Sequence, residues 1–518
     1  MSDPGDQGGE SAREAIRKDL ADLRRGALIN TLGYAIKIAQ PGLLIVVLWL
    51  YSKSAYGVLV GVQAVLMLAA RVGILGLDKA LLWWVPQQEP THERRAVLGT
   101  LVLVTVSTSV VAAALAFAAP SLLGWWIESD AVLQAIGWMA PAIVPIGIME
   151  VFVHASLGKR RMEAQVVVRE GIVPLSLLAA ALLMYLLGRQ DIGLLLAFGV
   201  SYVAGAIGAA VVFARNFRGS HWPDRDRFTV PARLVRYGLP MWLAEFLNSG
   251  LQRLDVYALT AVADEATLGV YGVVVQVGNV IRMIRRSFDP IVLAIVSSVS
   301  GDKTTSALSR LAAGFSHATV LVLVTQLPIF AFLVAFTPWI LMLYPEGYQA
   351  GQTAILILCG FWAVGGALGL AGIVVAGYGR SGLSLLNTII AFVLLGGLLA
   401  LFVEPWGMEG AALSVGLAYT LQYAIMVGQM RWVTGAWNYR VEVLWAVLAG
   451  VAGSAAMATA WFVCAGLPPL ATRIVAFVAF GVVYGGAVLR MRRAGLLSSG
   501  PPPRGPADDE VRPPEAVG

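Results

Sequence analysis

Long apolar stretches alternate with short polar loops along most of the chain. The segments 100–119 and 311–336 contain no Asp, Glu, Lys or Arg. Each is long enough for a helix to cross a hydrocarbon core of about 30 Å. Windows of this kind predict about fourteen transmembrane helices, near 26–50, 56–77, 97–119, 132–156, 166–187, 191–213, 235–261, 267–288, 312–336, 351–376, 382–402, 409–430, 441–464 and 470–489.

Basic residues are concentrated in alternate loops between these windows. The loops after every second predicted helix are rich in Arg and Lys, as at Lys79, Lys159 and Arg218. The opposite loops contain few basic residues, namely Lys53, Arg189 and Arg473. Because Lys and Arg accumulate in cytoplasmic loops, the pattern predicts a multi-pass protein of the cytoplasmic membrane with both termini in the cytoplasm.

An internal repeat divides the predicted helices into two sets. Seven of the sixteen positions in Tyr56–Arg71 are identical to those in Tyr271–Arg286. Six predicted helices separate the two copies, so both halves enter the membrane in the same direction, as in parallel transporter repeats. We therefore expect an all-α polytopic membrane protein with two six-helix lobes in a parallel pseudo-two-fold repeat, plus two C-terminal helices. The predicted divisions are a cytoplasmic tail with a short amphipathic helix (1–25), an N-lobe (26–215), a cytoplasmic linker (216–234), a C-lobe (235–430), two further helices (431–490) and a disordered cytoplasmic tail (491–518).

Composition and loop length exclude several functional classes. Hydrophobic residues make up 58% of the chain and charged residues 13%, against about 25% charged in soluble domains. The net charge of +6 is accounted for by the basic loops, so we expect no nucleic-acid partner. No phosphate-binding glycine loop, zinc-ligand spacing or nucleophile motif is found, and the outward loops are too short for a catalytic domain. We therefore expect neither a cofactor nor a metal nor catalytic residues.

Basic side chains inside the predicted helices are the candidate substrate-binding residues. Arg282, Arg285 and Arg286 follow one another at helical spacing, with Asp289 one turn further on. Guanidinium groups pair with phosphate through two parallel hydrogen bonds, so this cluster would suit a multivalent anion. The alternative is that these arginines end the helix at the membrane surface and meet lipid headgroups.

Three further cations lie within predicted spans. Arg71 is the counterpart of Arg286 in the repeat, and each lies about 22 Å along its helix from the Tyr-Gly pair. Lys37 and Arg253 take nearly equivalent places in the two lobes, 216 residues apart. A cationic cavity lined from both lobes explains these positions, although Arg253 could also pair internally with Glu245.

Four residues are candidates for ion coupling. Glu150 and His154 are spaced one helical turn apart, and histidine titrates near neutral pH, so together they could relay a proton. Glu245 and Asp255 are the acidic residues of the predicted seventh helix. A purely structural role for all four is the alternative.

Three short motifs resemble the polysaccharide flippase branch of the multidrug/oligosaccharidyl-lipid/polysaccharide exporter superfamily. They are Gly26-Ala27-Leu28-Ile29-Asn30-Thr31-Leu32-Gly33, Ala55-Tyr56-Gly57-Val58 and Gly76-Leu77-Asp78-Lys79-Ala80-Leu81-Leu82. With the twelve-plus-two layout, the resemblance covers about residues 20–495.

This resemblance implies a function and a set of partners. It implies export of undecaprenyl-diphosphate-linked oligosaccharide repeat units for surface polysaccharide synthesis, with Lys37, Arg71, Arg253 and Arg286 in a cationic cavity. The partners implied are the polyprenyl-diphosphate-linked oligosaccharide, membrane lipids and polysaccharide polymerase or assembly machinery. The alternatives are a lipid II flippase, which would be richer in arginine along the first helix, a cation-coupled multidrug exporter, which would have buried acids, and a membrane enzyme such as a sugar polymerase.

Overall fold

The computed structural model is all-helical. It describes residues 40, 42–87, 90–159, 161–218, 230–289, 292–293, 295–296, 304–378, 380–435 and 437–495. Lys37, the predicted amphipathic helix, the 26–33 motif and the C-terminal tail after residue 495 lie outside the described residues.

The described residues form sixteen named helices. They are α1 (42–50), α2 (Lys53–Ile74), α3 (Leu77–Trp84), α4 (Pro90–Leu123), α5 (Asp130–Gly158), α6 (Glu163–Leu186), α7 (Gly193–Asn216), α8 (Ala232–Leu251), α9 (Leu254–Val262), α10 (Glu265–Ser287), α11 (Thr305–Met342), α12 (Gln352–Leu368), α13 (Ala371–Gly377), α14 (Ser381–Thr434), α15 (Val441–Val463) and α16 (Pro469–Arg493).

Eleven helices among the described residues are long and apolar enough to span a membrane. They are α2, α4, α5, α6, α7, α10, α11, α14, α15 and α16, together with the segment Tyr348–Leu368 that contains α12. Their outer surfaces expose large apolar side chains, such as Phe117 at 89% and Phe462 at 81%. A soluble protein rarely exposes contiguous apolar surface on this scale, whereas hydrocarbon chains cover it at no cost. The chain is a multi-pass membrane protein.

Three of the fourteen predicted spans account for the difference from these eleven. The first is described only from residue 40 onward. The predicted helices 382–402 and 409–430 are continuous in α14, but Gly407 has φ 53° and ψ −128°, so two helices meet there.

The third difference is a correction, because the predicted helix 235–261 is two helices. Helix α8 ends at Leu251, and Arg253, with φ −133°, precedes the first residue of α9. Asn248, Ser249, Gly250 and Gln252 make this region polar. Broken backbone at membrane depth is tolerated where it lines a cavity that can satisfy its free polar groups, and Gln252 and Arg253 do line one. The predicted helix 351–376 is likewise interrupted, between α12 and α13.

The two copies of the repeat pack against each other at the ends where they begin. A Cβ atom added to Gly57 of α2 would lie 1.6 Å from the carbonyl oxygen of Glu265 on α10. One added to Gly269 of α10 would lie 2.3 Å from the carbonyl oxygen of Lys53. Only glycine permits this approach, and small residues are the usual means of bringing membrane helices together. The repeat thus places its two helices at one shared contact.

At the opposite end of α2 the chain reverses sharply into α3. Leu75 and Gly76 both have positive φ, at 57° and 68°. A Cβ on Gly76 would come within 2.4 Å of the carbonyl oxygen of Gly238 on α8. This turn places Asp78 and Lys79 on α3, close to the cationic end of α2.

Candidate functional site

A cavity of about 490 Å³ lies between helices of the two halves of the chain. Helices α1, α2, α6 and α7 line it on one side, and the end of α8 with α9, α10, α12 and α14 on the other. Its polar lining comprises Gln40, Gln63, Arg169, Ser201, Gln252, Arg253, Asp255, Gln276, Asn279, Arg282 and Arg286. Among the described residues, the lining contains four arginines and one aspartate, so its net charge is positive.

Helix α10 supplies two of the four cavity arginines. Arg282 and Arg286 are one turn apart, and both line the cavity. The Arg282 guanidinium lies 4.9 Å from the ring centre of Trp362 and 5.3 Å from that of Tyr419. Stacking on these aromatic faces orients the guanidinium while leaving its N–H groups available for an anion.

Arg285, the third arginine of the predicted cluster, does not line the cavity. Its Nη1 donates to Asp289 at 2.9 Å and to the carbonyl oxygen of Gly369 at 3.3 Å, beside the break between α12 and α13. Burial raises the pKa of Asp289, against the opposing effect of Arg285. The expected single face of three arginines is therefore divided: two residues face the cavity and one joins α10 to α12.

The break between α8 and α9 brings Arg253 and Asp255 to the cavity wall. The buried carboxylate of Asp255 accepts a hydrogen bond of 2.7 Å from the Tyr271 hydroxyl on α10. Arg253 stands at the N-terminus of α9, where the unpaired N–H groups add partial positive charge. The suggested pairing of Arg253 with Glu245 is not seen, because Glu245 contacts Lys79 at 4.0 Å.

Arg169 on α6 is a cavity residue that sequence reasoning missed. It lies in the π-helical segment Val166–Ile172, just before Pro174. Proline has no N–H with which to continue the helical ladder, and π-helical turns are frequent at functional sites. The available signal was an arginine four residues into the predicted fifth helix, but Arg169 is followed by Glu170 and resembles an ordinary surface pair.

A buried ionic cluster lies beside the cavity, at the end of α2 that carries Arg71. Arg71 Nη1 is 3.1 Å from Asp78 and 3.9 Å from Glu150, and Arg169 also donates to Glu150. Arg71 does not line the cavity, because these carboxylates hold its guanidinium.

His154 completes this cluster on α5. Its Nδ1 is 3.3 Å from Glu150, and its Nε2 is 3.7 Å from Asp78 and 3.3 Å from the Lys79 ammonium. Asp78, Glu150 and His154 offer ligand atoms within 4.8 Å of one another, which is metal-ligand spacing. The nearby cations Arg71, Lys79 and Arg169 already balance the two carboxylates, so we assign no metal to them.

The structure thus divides the predicted site residues into two groups. Arg253, Arg282, Arg286 and Asp255 line the cavity, whereas Arg71, Glu150, His154 and Glu245 belong to the ionic cluster or its edge. Arg285 is on α10 but points away from the cavity, to Asp289 and Gly369, and Lys37 lies outside the described residues. Their roles in substrate binding and ion coupling stay predictions.

Comparisons with known proteins identify a family and a shared fold. A family described as "Polysaccharide biosynthesis protein" matches residues 23–296. No curated protein matches the chain significantly.

Solved structures of similar fold include two kinds of transporter. One is described as the lipid II flippase MurJ in an inward closed conformation, with a TM-score of 0.70 and 9% identity over 91% of this chain and 99% of that one. Another is an inward-facing multidrug resistance MATE family transporter of the MOP superfamily, with a TM-score of 0.59 and 15% identity over 80% and 95%. At such identities the likeness establishes the fold.

Proposed function

The chain belongs to the polysaccharide biosynthesis protein family, and on that premise we propose that it flips undecaprenyl-diphosphate-linked oligosaccharide repeat units across the cytoplasmic membrane. Its family, and the fold that it shares with a flippase and a multidrug transporter, support a role as a membrane transporter rather than as an enzyme. What we propose beyond family membership is the cargo, a lipid diphosphate that bears sugars.

The observation that carries the proposal is the charge of the central cavity. Arg169, Arg253, Arg282 and Arg286 line about 490 Å³ of space inside an apolar protein. A cation at membrane depth is costly unless it meets a wet cavity or a partner, so four together favour an anionic ligand. The cavity volume lies within the range of about 300–1,000 Å³ typical of ligand sites. It suits a diphosphate with its first sugars, while the lipid tail stays in the bilayer.

The proposed cycle uses fourteen membrane crossings in two six-helix lobes plus two helices. The basic loops favour cytoplasmic termini, and in the proposed orientation Arg71 and Arg286 lie toward the cytoplasmic face. The diphosphate enters from that face, binds the cavity arginines and leaves outward as the lobes rock. An inside-negative potential favours outward movement of an anion by about 2.3 kcal/mol per charge per 100 mV.

Lipid II is the second candidate cargo, since a flippase of that lipid has a similar fold along 91% of this chain. Both cargoes share the polyprenyl diphosphate and differ in their sugars. A multidrug exporter of organic cations is disfavoured, because four arginines around the cavity would repel a cation. Interaction with polysaccharide polymerase or assembly machinery stays a prediction.

Flipping can be tested in proteoliposomes that contain the purified chain and a fluorescent polyprenyl-diphosphate oligosaccharide. We expect protein-dependent exposure of the fluorophore to a membrane-impermeant quencher. Arg286→Ala should reduce the initial rate about tenfold or more, because it removes a charge-assisted contact worth about 1.5–3 kcal/mol. Arg189→Ala, at an exposed arginine away from the cavity, is the matched control and should keep the normal rate.

Full flipping by an inserted Arg286→Ala protein would refute the cationic site. Lipid II added as an unlabelled competitor separates the two cargoes, since the true cargo should inhibit at the lower concentration.

A further inference from the structure

We propose that Glu150 acts as an internal substitute for the substrate phosphate at Arg169, so that an entering diphosphate must displace this carboxylate. The inference deepens the proposed function and rests on it. It makes Arg169 a diphosphate-binding residue and Glu150 a positioning residue that sets the affinity of the cavity.

Arg169 faces both the cavity and the ionic cluster. It lines the cavity, while its Nη2 donates to Glu150 Oε2. Its side chain is 27% exposed, and its Nε is buried without a hydrogen-bond partner among the described residues. A guanidinium has five N–H donors in a rigid fork, so this side chain retains donors for a phosphate in the cavity.

Glu150 keeps other polar partners when Arg169 leaves. The same oxygen, Oε2, is 3.9 Å from Arg71 Nη1 and 3.3 Å from His154 Nδ1. The Glu150 side chain is only 7% exposed, and an unpaired carboxylate at such a place would be strongly destabilising. Because Arg71 remains as a cation and His154 as a polar neighbour, the exchange does not leave the buried carboxylate without a partner.

The cluster links this exchange to a contact between the two halves of the chain. Asp78 and Lys79 are neighbours on α3, and Lys79 reaches Glu245 on α8 at 4.0 Å. Arg71 contacts both Glu150 and Asp78. When Arg169 moves to the phosphate, the Arg71 guanidinium pairs more strongly with Glu150 and less strongly with Asp78. Cavity occupancy is thereby coupled to the contact between α3 and α8, and by linkage that contact also affects ligand affinity.

Competition of this kind predicts that removing Glu150's charge tightens anion binding. The probe is geranyl diphosphate, titrated calorimetrically into the purified full-length chain. Glu150→Gln should bind it about tenfold more tightly than the unaltered protein, equivalent to about 1.4 kcal/mol. Arg169→Ala should bind it more weakly, and Glu150→Gln should bring no gain in the Arg169→Ala background. Glu404→Gln, at an exposed carboxylate on α14, should bind like the unaltered protein.

Each of the other possible results would overturn a specific claim. Unchanged or weaker binding by Glu150→Gln overturns the inference, and so does an equal gain with and without Arg169, which would mean that Glu150 acts only through its general field. If Glu150→Gln does not yield monodisperse protein, Glu150→Asp is used instead, because it withdraws the carboxylate by one methylene and keeps its charge. The inference then again requires a gain in diphosphate affinity that depends on Arg169. No binding by the unaltered protein would overturn the proposed function itself.

Discussion

At the scale of single residues, Arg71 and Arg286 show how the same position of a repeat has acquired two roles. Both arginines lie in the last turn of their helices. Arg286 lines the cavity, whereas Arg71 is bound to Asp78 and is only 20% exposed. The difference comes from the neighbours, because α3 brings a carboxylate to Arg71.

Replacing Arg71 should therefore harm stability more than binding. We expect Arg71→Gln to lower the free energy of unfolding by about 3 kcal/mol, because Asp78 and Glu150 stay buried with one cation fewer. Thermal unfolding in detergent measures this loss, with the exposed Arg236→Gln as control. A variant of normal stability that bound diphosphate poorly would instead place Arg71 in the binding site.

Spacing along one helix could predict part of the site. Arg282 and Arg286 face the cavity together because residues four apart share a helix face, as the sequence indicates. Sequence alone could not separate Arg285 from them, since one of its partners, the Gly369 carbonyl, lies in the distant break between α12 and α13. Arg169 was not predicted for the same reason. Its role depends on Glu150 and on a cavity that forms only when the helices pack.

At the scale of elements, the turn between α2 and α3 decides where the ionic cluster forms. Gly76 has a positive φ and also packs against the backbone of α8, with room for no Cβ. Gly188, in the loop after α6, has a similar φ of 72° but nothing within 4 Å of the Cβ position. Comparing Gly76 with Gly188 therefore separates the cost of backbone strain from the cost of steric contact.

Substituting alanine at these two glycines should give unequal losses of stability. Gly188→Ala should cost about 1–2 kcal/mol, the usual penalty for a left-handed conformation. Gly76→Ala should cost at least about 2 kcal/mol more, because α8 must also shift. Thermal unfolding of both variants provides the comparison, and equal losses would mean that α8 is free to move away from the turn.

The sequence predicts the helices better than it predicts their interruptions. Apolar length places most of the spans, because each must bury its own backbone in lipid. The break at Arg253 and the π-helical turn around Arg169 are invisible to such windows. Both interruptions occur where side chains and water can satisfy the backbone, and that depends on the cavity.

At the scale of the whole molecule, the cavity is closed between α2 and α10 at the end where these helices begin. Gly57 and Gly269 hold the two backbones in contact there, and Trp49 of α1 donates to the carbonyl oxygen of Leu343 at 2.8 Å. Under alternating access this contact must part for the cargo to leave. The glycines therefore stabilise one state of the cycle over the other.

A larger side chain at Gly57 should shift the equilibrium towards a state open at that end. The reporter is Gln276→Cys, a cavity position on α10, in a chain whose two cysteines are replaced by alanine. With Gly57→Val, an impermeant maleimide added outside should label this cysteine about tenfold faster, as a shift of about 1.4 kcal/mol between states would give. Gly42→Val, where the Cβ position is open, should leave the labelling rate unchanged. Equal labelling with glycine and valine at 57 would show that the cargo leaves by a path that does not separate α2 from α10.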